Sequence, residues 1–312
     1  MQTRHLAVLL LPVIGYWVAA CGRDVPTEAR PGRMATDAIS TDLSQSYQVI
    51  LSCTDGHSVV LWVDAATLTS LAADVDAINA SGTGVTCRLD STALDPSSQT
   101  TAWTVYDYNP SNNALAPRNA PNKMPATTMI STTTFDFLPG KFTALLTTTE
   151  RSLTGDLSTT MLRDEISVSG PATTFMTQHN GGANCSSNIP ATVRFYFVSP
   201  SASGSTVGMP PAGFYTQFWW SNPTNVPLTA GNQSGTITAS LSDPNEWSDW
   251  NGQRGGSSPE VLEAFMEATH NVQTVGLSFG GECFFETGVT AVYPSTTPPY
   301  EVFSSNFSET SP

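Results

Sequence analysis

The sequence predicts a mainly β protein, with an antiparallel β-sandwich over residues 133–312 and a small α+β module over residues 47–110. Three observations predict it. Charged residues make up only 12% of the 312, while Ser, Thr, Asn, Gly and Pro are abundant, which suits strands joined by tight turns. From about Thr133 onward, short segments with strand character alternate with turn signals. Only one stretch in each part reads as a helix.

At the amino end, residues 1–20 read as a signal peptide. Arg4 and His5 form a short basic start, and residues 6–20 (LAVLLLPVIGYWVAA) carry no charge. That run has the length of a signal h-region and falls short of the about 20 apolar residues a membrane-spanning helix takes. It ends in Val18-Ala19-Ala20-Cys21, which resembles the bacterial lipobox. The resemblance implies that the Cys21 thiol receives a diacylglyceryl group, that the signal is cut just before it, and that the new amino end is acylated. Several chains together give stable anchoring, each buried methylene contributing roughly 0.8 kcal/mol. An ordinary secretory signal cut after Ala20 would instead leave Cys21 a free thiol. The expected location is extracytoplasmic, lipid-anchored to the cell membrane or to an outer membrane. Gly22, where an Asp would hold the protein back, resembles lipoproteins released to the latter. Residues 21–46 are polar, carry two prolines and show no sustained period, the pattern of a disordered tether.

The module follows. YQVILSC and HSVVLWVD read as strands around Thr54-Asp55-Gly56, a hairpin turn. Leu68, Leu71, Val75 and Ile78 recur at spacings of three and four, so AATLTSLAADVDAINAS is an amphipathic helix. VTCRLD and TAWTVYDYNP supply further strands. Residues 111–132, rich in Asn and Pro, read as a linker or surface loop.

The sandwich strands are TTFDF, KFTALLTTT, EISVSG, ATVRFYFVS, FYTQFWWS, GTITASLS, QTVGLSFG, CFFETGVTAVY and EVFSSNF. One helix interrupts them, SPEVLEAFMEATHNV, with Ser258 as cap, Pro259 in its first turn and Glu260 at its positive end. In FYTQFWWS, Trp219 and Trp220 are adjacent and point to opposite faces of a strand, so one must leave the core or be covered by something else.

From Gly235 to Val292 the chain runs through a strand, Leu241-Ser242-Asp243-Pro244, then Glu246-Trp247-Ser248-Asp249-Trp250-Asn251-Gly252, the helix, and Val272-Gln273-Thr274-Val275-Gly276-Leu277-Ser278-Phe279. This order resembles the galactose-binding-like jelly rolls, the fold of many carbohydrate-binding modules. The resemblance covers residues 133–312 and implies that the sandwich is a jelly roll. Jelly rolls of this type often hold a structural calcium, for which Asp243, Glu246 and Asp249 are the acids in one loop; the DxDxDG spacing is absent. The mature chain as a whole also resembles a group of exported bacterial proteins, which implies no activity.

Four cysteines remain beside Cys21, an even number that reads as two disulfides in an oxidising compartment. Of the three pairings, Cys53–Cys87 with Cys185–Cys283 keeps each bridge inside one part. No CxxC or HxxxH spacing favours zinc. The formal charge is −14 with no Lys/Arg cluster, which excludes a phosphate-reading nucleic-acid surface.

Signals for catalysis are sparse. There is no GxSxG, no GxGxxG at a strand–helix junction and no phosphate loop. His57 and His270 have bland surface placements, and His179 lies in a polar stretch. Asp243, Glu246, Asp249, Glu282 and Glu286 are the carboxylates a glycosidase pair would draw on. The expected role is therefore not enzymatic. Sugar sites combine an aromatic plate with amide and guanidinium donors, and Trp250, Asn251, Gln253 and Arg254, with Trp220, provide these parts. A membrane-anchored, non-catalytic carbohydrate-binding protein is one expectation. The alternative is a structural or protein-interaction lipoprotein of the envelope without a small-ligand site, which a buried aromatic patch would favour.

Overall fold

The structure, a computed structural model, describes residues 47–54, 58–93, 103–109, 111, 114–118, 122–123, 130–149, 153–178, 190–200, 213–222, 224–281 and 288–310. Cys21, His57, His179, Cys185, Glu282, Cys283 and Glu286 lie outside them, and with them the signal, the tether and the Cys185–Cys283 pairing.

The module begins with a hairpin of β1 (Tyr47–Cys53) and β2 (Ser58–Val63), followed by α1 (Ala65–Ala80) and β3 (Cys87–Ala93). β1 is the centre of an antiparallel β2-β1-β3 sheet. Asp64 caps α1 by accepting from the Thr67 N–H at 2.7 Å. The helix buries Leu71, Val75 and Ile78, each contributing about 1.5–3 kcal/mol by leaving water. Cys53 and Cys87 face each other in register and form the expected disulfide.

The remaining strands are β4 (Thr104–Asn109), β5 (Ala114–Pro117), β6 (Asn122–Lys123), β7 (Ile130–Phe137), β8 (Phe142–Thr148), β9 (Met161–Ser169), β10 (Thr174–Thr177), β11 (Thr192–Val198), β12 (Phe218–Ser221), β13 (Val226–Pro227), β14 (Gln233–Ser240), β15 (Trp247–Asp249), β16 (Thr274–Gly280), β17 (Val289–Val292) and β18 (Glu301–Thr310). Helix α2 (Pro259–Thr269) precedes β16, with Ser258 as its cap. Every strand pairing among the described residues is antiparallel. A ten-stranded sheet runs β10-β17-β8-β16-β11-β12-β15, with β4, β5 and β13 beside this path. A five-stranded sheet runs β14-β9-β18-β7-β6.

The chain is thus mainly β, with a sandwich and few helices. Phe135, Phe137, Phe303 and Phe307 of the smaller sheet meet Phe195, Phe197, Trp219 and Phe279 of the larger one in the central core. A second apolar cluster lies on the other side of the ten-stranded sheet. There Tyr106, Tyr196, Phe218 and Trp220 share a buried core with Leu51, Val60 and Val75 of the module. The Gln48 amide donates across this seam to the Tyr106 hydroxyl at 2.5 Å. β11 and β16 are consequently buried along their whole length, which explains why TVRFYFV and TVGLSFG read as almost unbroken apolar runs.

Several segments differ from the sequence reading: β6 and the start of β7 fall within the expected linker, β10 and β13 are strands beyond those expected, and two further cases bear on the site. Residues 104–117, read as the end of the module and the start of a linker, form β4 and β5, and β4 extends the ten-stranded sheet by pairing with β8. Its alternating Val105, Tyr106 and Tyr108 need cover on both sides, and the larger sheet supplies it. Residues 247–249, read as loop, form β15, which pairs with β12 through Trp220↔Ser248.

Candidate functional site

The residues singled out from the sequence for ligand and calcium binding sit around β12, β15 and the turns on either side of β15. Because β15 is a strand in register with β12, its side chains alternate. Trp247 turns into the central core and is fully buried, its indole N–H donating to the Ser240 carbonyl at 2.8 Å. Trp250 falls on the opposite side, as Trp220 does. Trp219 and Trp220 divide as adjacent strand residues must, Trp219 into the central core and Trp220 into the seam beneath the module.

Trp250 is 5% exposed and Trp220 is 1% exposed. The Trp250 ring packs edge-on against Phe214 at 5.5 Å and Trp220 at 6.3 Å, and tilted against Phe218 at 4.9 Å. Aromatic pairs of this kind add about 0.5–1.5 kcal/mol beyond their buried area. The sequence reading offered Trp250 and Trp220 as plates for a sugar ring. Both rings are buried among other aromatic rings, so neither is presented to a ligand.

The polar partners are engaged as well. The Asp249 carboxylate is buried and accepts from the backbone N–H groups of Asn251 at 2.9 Å and Gln253 at 2.8 Å, folding the turn onto itself. Arg254 donates to the carbonyls of Asn245, at 2.7 Å, and Asn222, pinning the loop to the β12 end. Asn251 and Gln253 are exposed, whereas Trp250 and Trp220 are buried.

The acids proposed for calcium do not converge. Asp243 caps a 3-10 turn by accepting from the Asn245 N–H at 2.9 Å. Glu246 accepts from the Ser240 N–H, and Asp249 is engaged as above. Each carboxylate compensates a backbone donor of its own loop. Among the described residues no group of three or more His, Cys, Asp or Glu is placed to hold a metal ion.

His270 is exposed at the end of α2, its Nδ1 3.0 Å from Asp156 Oδ1. The Ser158 hydroxyl also donates to Asp156, and these hydrogen bonds hold the Asp156 carboxyl below its ordinary range. The hydroxyl donates to the acid and not to the imidazole, so Ser158, His270 and Asp156 do not stand in the order of a Ser-His-Asp triad. No helix among the described residues is long and apolar enough to cross a membrane.

Two features escaped the sequence reading. One is a set of acids on the inner face of the smaller sheet. Asp164 is fully buried; burial pushes its carboxyl up to about 7, partly offset by bonds from the Ser305 hydroxyl and the Asn306 N–H. Glu309 is 7% exposed and also pushed up to about 7 by burial. Glu301 accepts from the Ala172 N–H at 2.9 Å through one oxygen, and its other oxygen has no partner among the described residues. Period-two alternation in EVFSSNFSET, with Phe303 and Phe307 inward, places Glu301 and Glu309 inward with them. The other feature is the outer face of that sheet, where Glu165, Ser167, Ser234, Thr236, Ser304 and Asn306 line an open trough of about 460 Å³. The chain matches no family model, no curated protein and no solved structure.

Proposed function

We propose that this chain is an exported lipoprotein, anchored through Cys21, whose folded part is a non-catalytic structural or protein-interaction module of the cell envelope. One observation carries the choice over sugar binding at the tryptophan loop: Trp250 and Trp220 are buried in the seam that joins the module to the sandwich. They act there as packing residues, and Asp249 and Arg254 close the loop around them. The lipobox-like Val18-Ala19-Ala20-Cys21 and the polar tether after it support the anchored location. The order of elements from β14 to β16 is consistent with a jelly roll of the galactose-binding-like kind, a finer reading of the sandwich.

The experiment is a pair of variants of the full chain. Cys21→Ser should move the protein from the membrane fraction to the soluble extracytoplasmic fraction and abolish incorporation of labelled fatty acid; unchanged fractionation and labelling would overturn the anchor. Trp250→Ala should lower the unfolding midpoint. If it left the midpoint unchanged and abolished binding to a polysaccharide, the tryptophan loop would be a sugar site and the structural reading would fall.

A further inference from the structure

Strand β14 forms one end of the five-stranded sheet, and no described strand pairs with its outer edge. Its eight residues lie on β9 in unbroken register from Gln233 to Ser240. An edge strand offers a row of unpaired N–H and C=O groups. Folds commonly blunt such a row by shortening the strand or by placing charge, proline or a bulge in it. The other described edges are blunted. β5, β6, β10, β13 and β15 have four residues or fewer, and β3 carries the Arg88–Asp90 ion pair. In β2, Val59, Val60 and Leu61 are buried. β14 (QSGTITAS) is the longest of these edges and has no charge, proline or bulge.

One end of β14 is capped, and the cap shows which groups point outward. The Ser240 N–H donates to the Glu246 carboxylate at 2.5 Å, and the Ser240 carbonyl accepts from the Trp247 indole at 2.8 Å. Both Ser240 groups thus face away from β9. In an antiparallel strand the N–H and C=O of one residue point to the same side, and the side alternates along the chain. The backbone groups of Ser234, Thr236 and Thr238 therefore face outward too, and all three residues are exposed. Among the described residues nothing bonds these groups.

The three outward residues are symmetric about Thr236, so the strand is complementary to its own copy. Placing Thr236 against the partner's Thr236 sets Ser234 against the partner's Thr238, and Thr238 against the partner's Ser234. Each pair exchanges two N–H···O=C bonds, so every outward group of the three residues is used. On the outer face hydroxyl side chains then meet hydroxyl side chains, a favourable cross-strand pairing. Charge selects the same place. Two chains of net charge −14 repel, and β14 carries none of that charge. Glu165, opposite Thr236 on β9, would stand three strand spacings from the partner's Glu165. That is about 14 Å, beyond the screening length of about 8 Å in physiological salt.

We propose that β14 is a self-association edge, at which two copies of the chain pair antiparallel about Thr236 and join their five-stranded sheets into one continuous sheet. This deepens the interaction reading above by naming the partner, and it rests on that reading for the folded part alone. The shared surface is small beside that of a permanent dimer, so association is reversible.

The test uses the full chain in detergent. Sedimentation should show a dimer whose share rises with concentration, and with salt, because salt screens the repulsion between two acidic chains. Cys21→Ser should dimerise as wild type does, which separates strand pairing from two anchors sharing a micelle. Thr236→Pro removes an outward donor that β9 does not use, and Thr236→Lys sets two ammonium groups opposite each other. Each should abolish the dimer. Mixing the Thr236→Lys chain with a Thr236→Glu chain should restore it. If Thr236→Pro lowers the unfolding midpoint, Thr236→Lys and its rescue decide. Under a mild oxidant Thr236→Cys should give a covalent dimer, since paired Cα atoms lie about 5.5 Å apart, and Thr238→Cys should not. A wild-type chain that stays monomeric up to about 1 mM, a dimer that survives both variants, or equal crosslinking of Thr238→Cys would each overturn the proposal. Failure of the dimer would leave the cost of Trp250→Ala and the fractionation of Cys21→Ser unchanged, so it is distinguishable from failure of the reading above.

Discussion

The ten-stranded and five-stranded sheets share one core, but their other faces differ in chemistry and in fate. The larger sheet turns Tyr196, Phe218 and Trp220 away from the shared core, and those rings are buried again under the module. The smaller sheet turns Glu165, Ser167, Thr236 and Ser304 away, and they meet solvent or the open trough. Residue chemistry follows coverage: bulky apolar side chains fill the face on which a third layer is packed, and the other face is mainly polar. The module is thus a layer the larger sheet requires, since without it an aromatic surface would be left in water.

The strongest way to break this picture is at Gly276 on β16, inside the covered sheet. A Cβ there would lie 2.1 Å from the Leu146 carbonyl oxygen of β8, a backbone atom that cannot step aside. Gly276→Val should abolish folding, a loss beyond the about 4–5 kcal/mol that marks exceptional substitutions. A native circular-dichroism spectrum and normal unfolding midpoint would show the two strands are not so close.

Next comes the seam itself. Trp250→Ala should cost about 3–5 kcal/mol in urea unfolding, as large aromatic truncations in closed cores do. A cost near zero would mean the module does not rest on that ring. Within the module, Cys53→Ser should cost about 2–4 kcal/mol, because the bridge spans 34 residues of sequence.

The inner acids of the smaller sheet set a pH dependence. Asp164 and Glu309 hold their protons up to about pH 7 when folded, against the ordinary carboxylate range when unfolded. Their contribution to stability is fully present below that ordinary range and is lost as pH rises through about 7. The urea midpoint should therefore fall between about pH 4 and pH 7 and level off above the raised values. Asp164→Asn should flatten that slope; an unchanged slope would place the titration elsewhere. The smallest effect belongs to the open face, where Ser167→Ala should change stability by no more than about 0.5 kcal/mol. A larger loss would show that the face is covered.

Much of this architecture was readable from residue order. Helix α1 followed from Leu68, Leu71, Val75 and Ile78, and the Cys53–Cys87 bridge from even cysteine count and the strands around it. Opposite fates for Trp219 and Trp220 followed from strand alternation alone. The tryptophan loop was misread because β15 has only three residues, too few to show a period, and its strand character comes from pairing with β12. Once that pairing is made, Trp250 must point into the seam. The trough was illegible for a different reason. Ser167, Ser304 and Ser234 are unremarkable one by one, and they form a surface only because β14, β9 and β18 pair in this register.

The sequence by itself determined the β class, both helices and the Ser258 cap of the second, the in-out alternation of Trp219 and Trp220 and the local disulfide, because each depends on residues near one another or on a fixed period. The tertiary structure decided which outward face is covered. That depends on a module well over a hundred residues away in sequence packing over Trp220 and Trp250, and no local pattern encodes the distance between them.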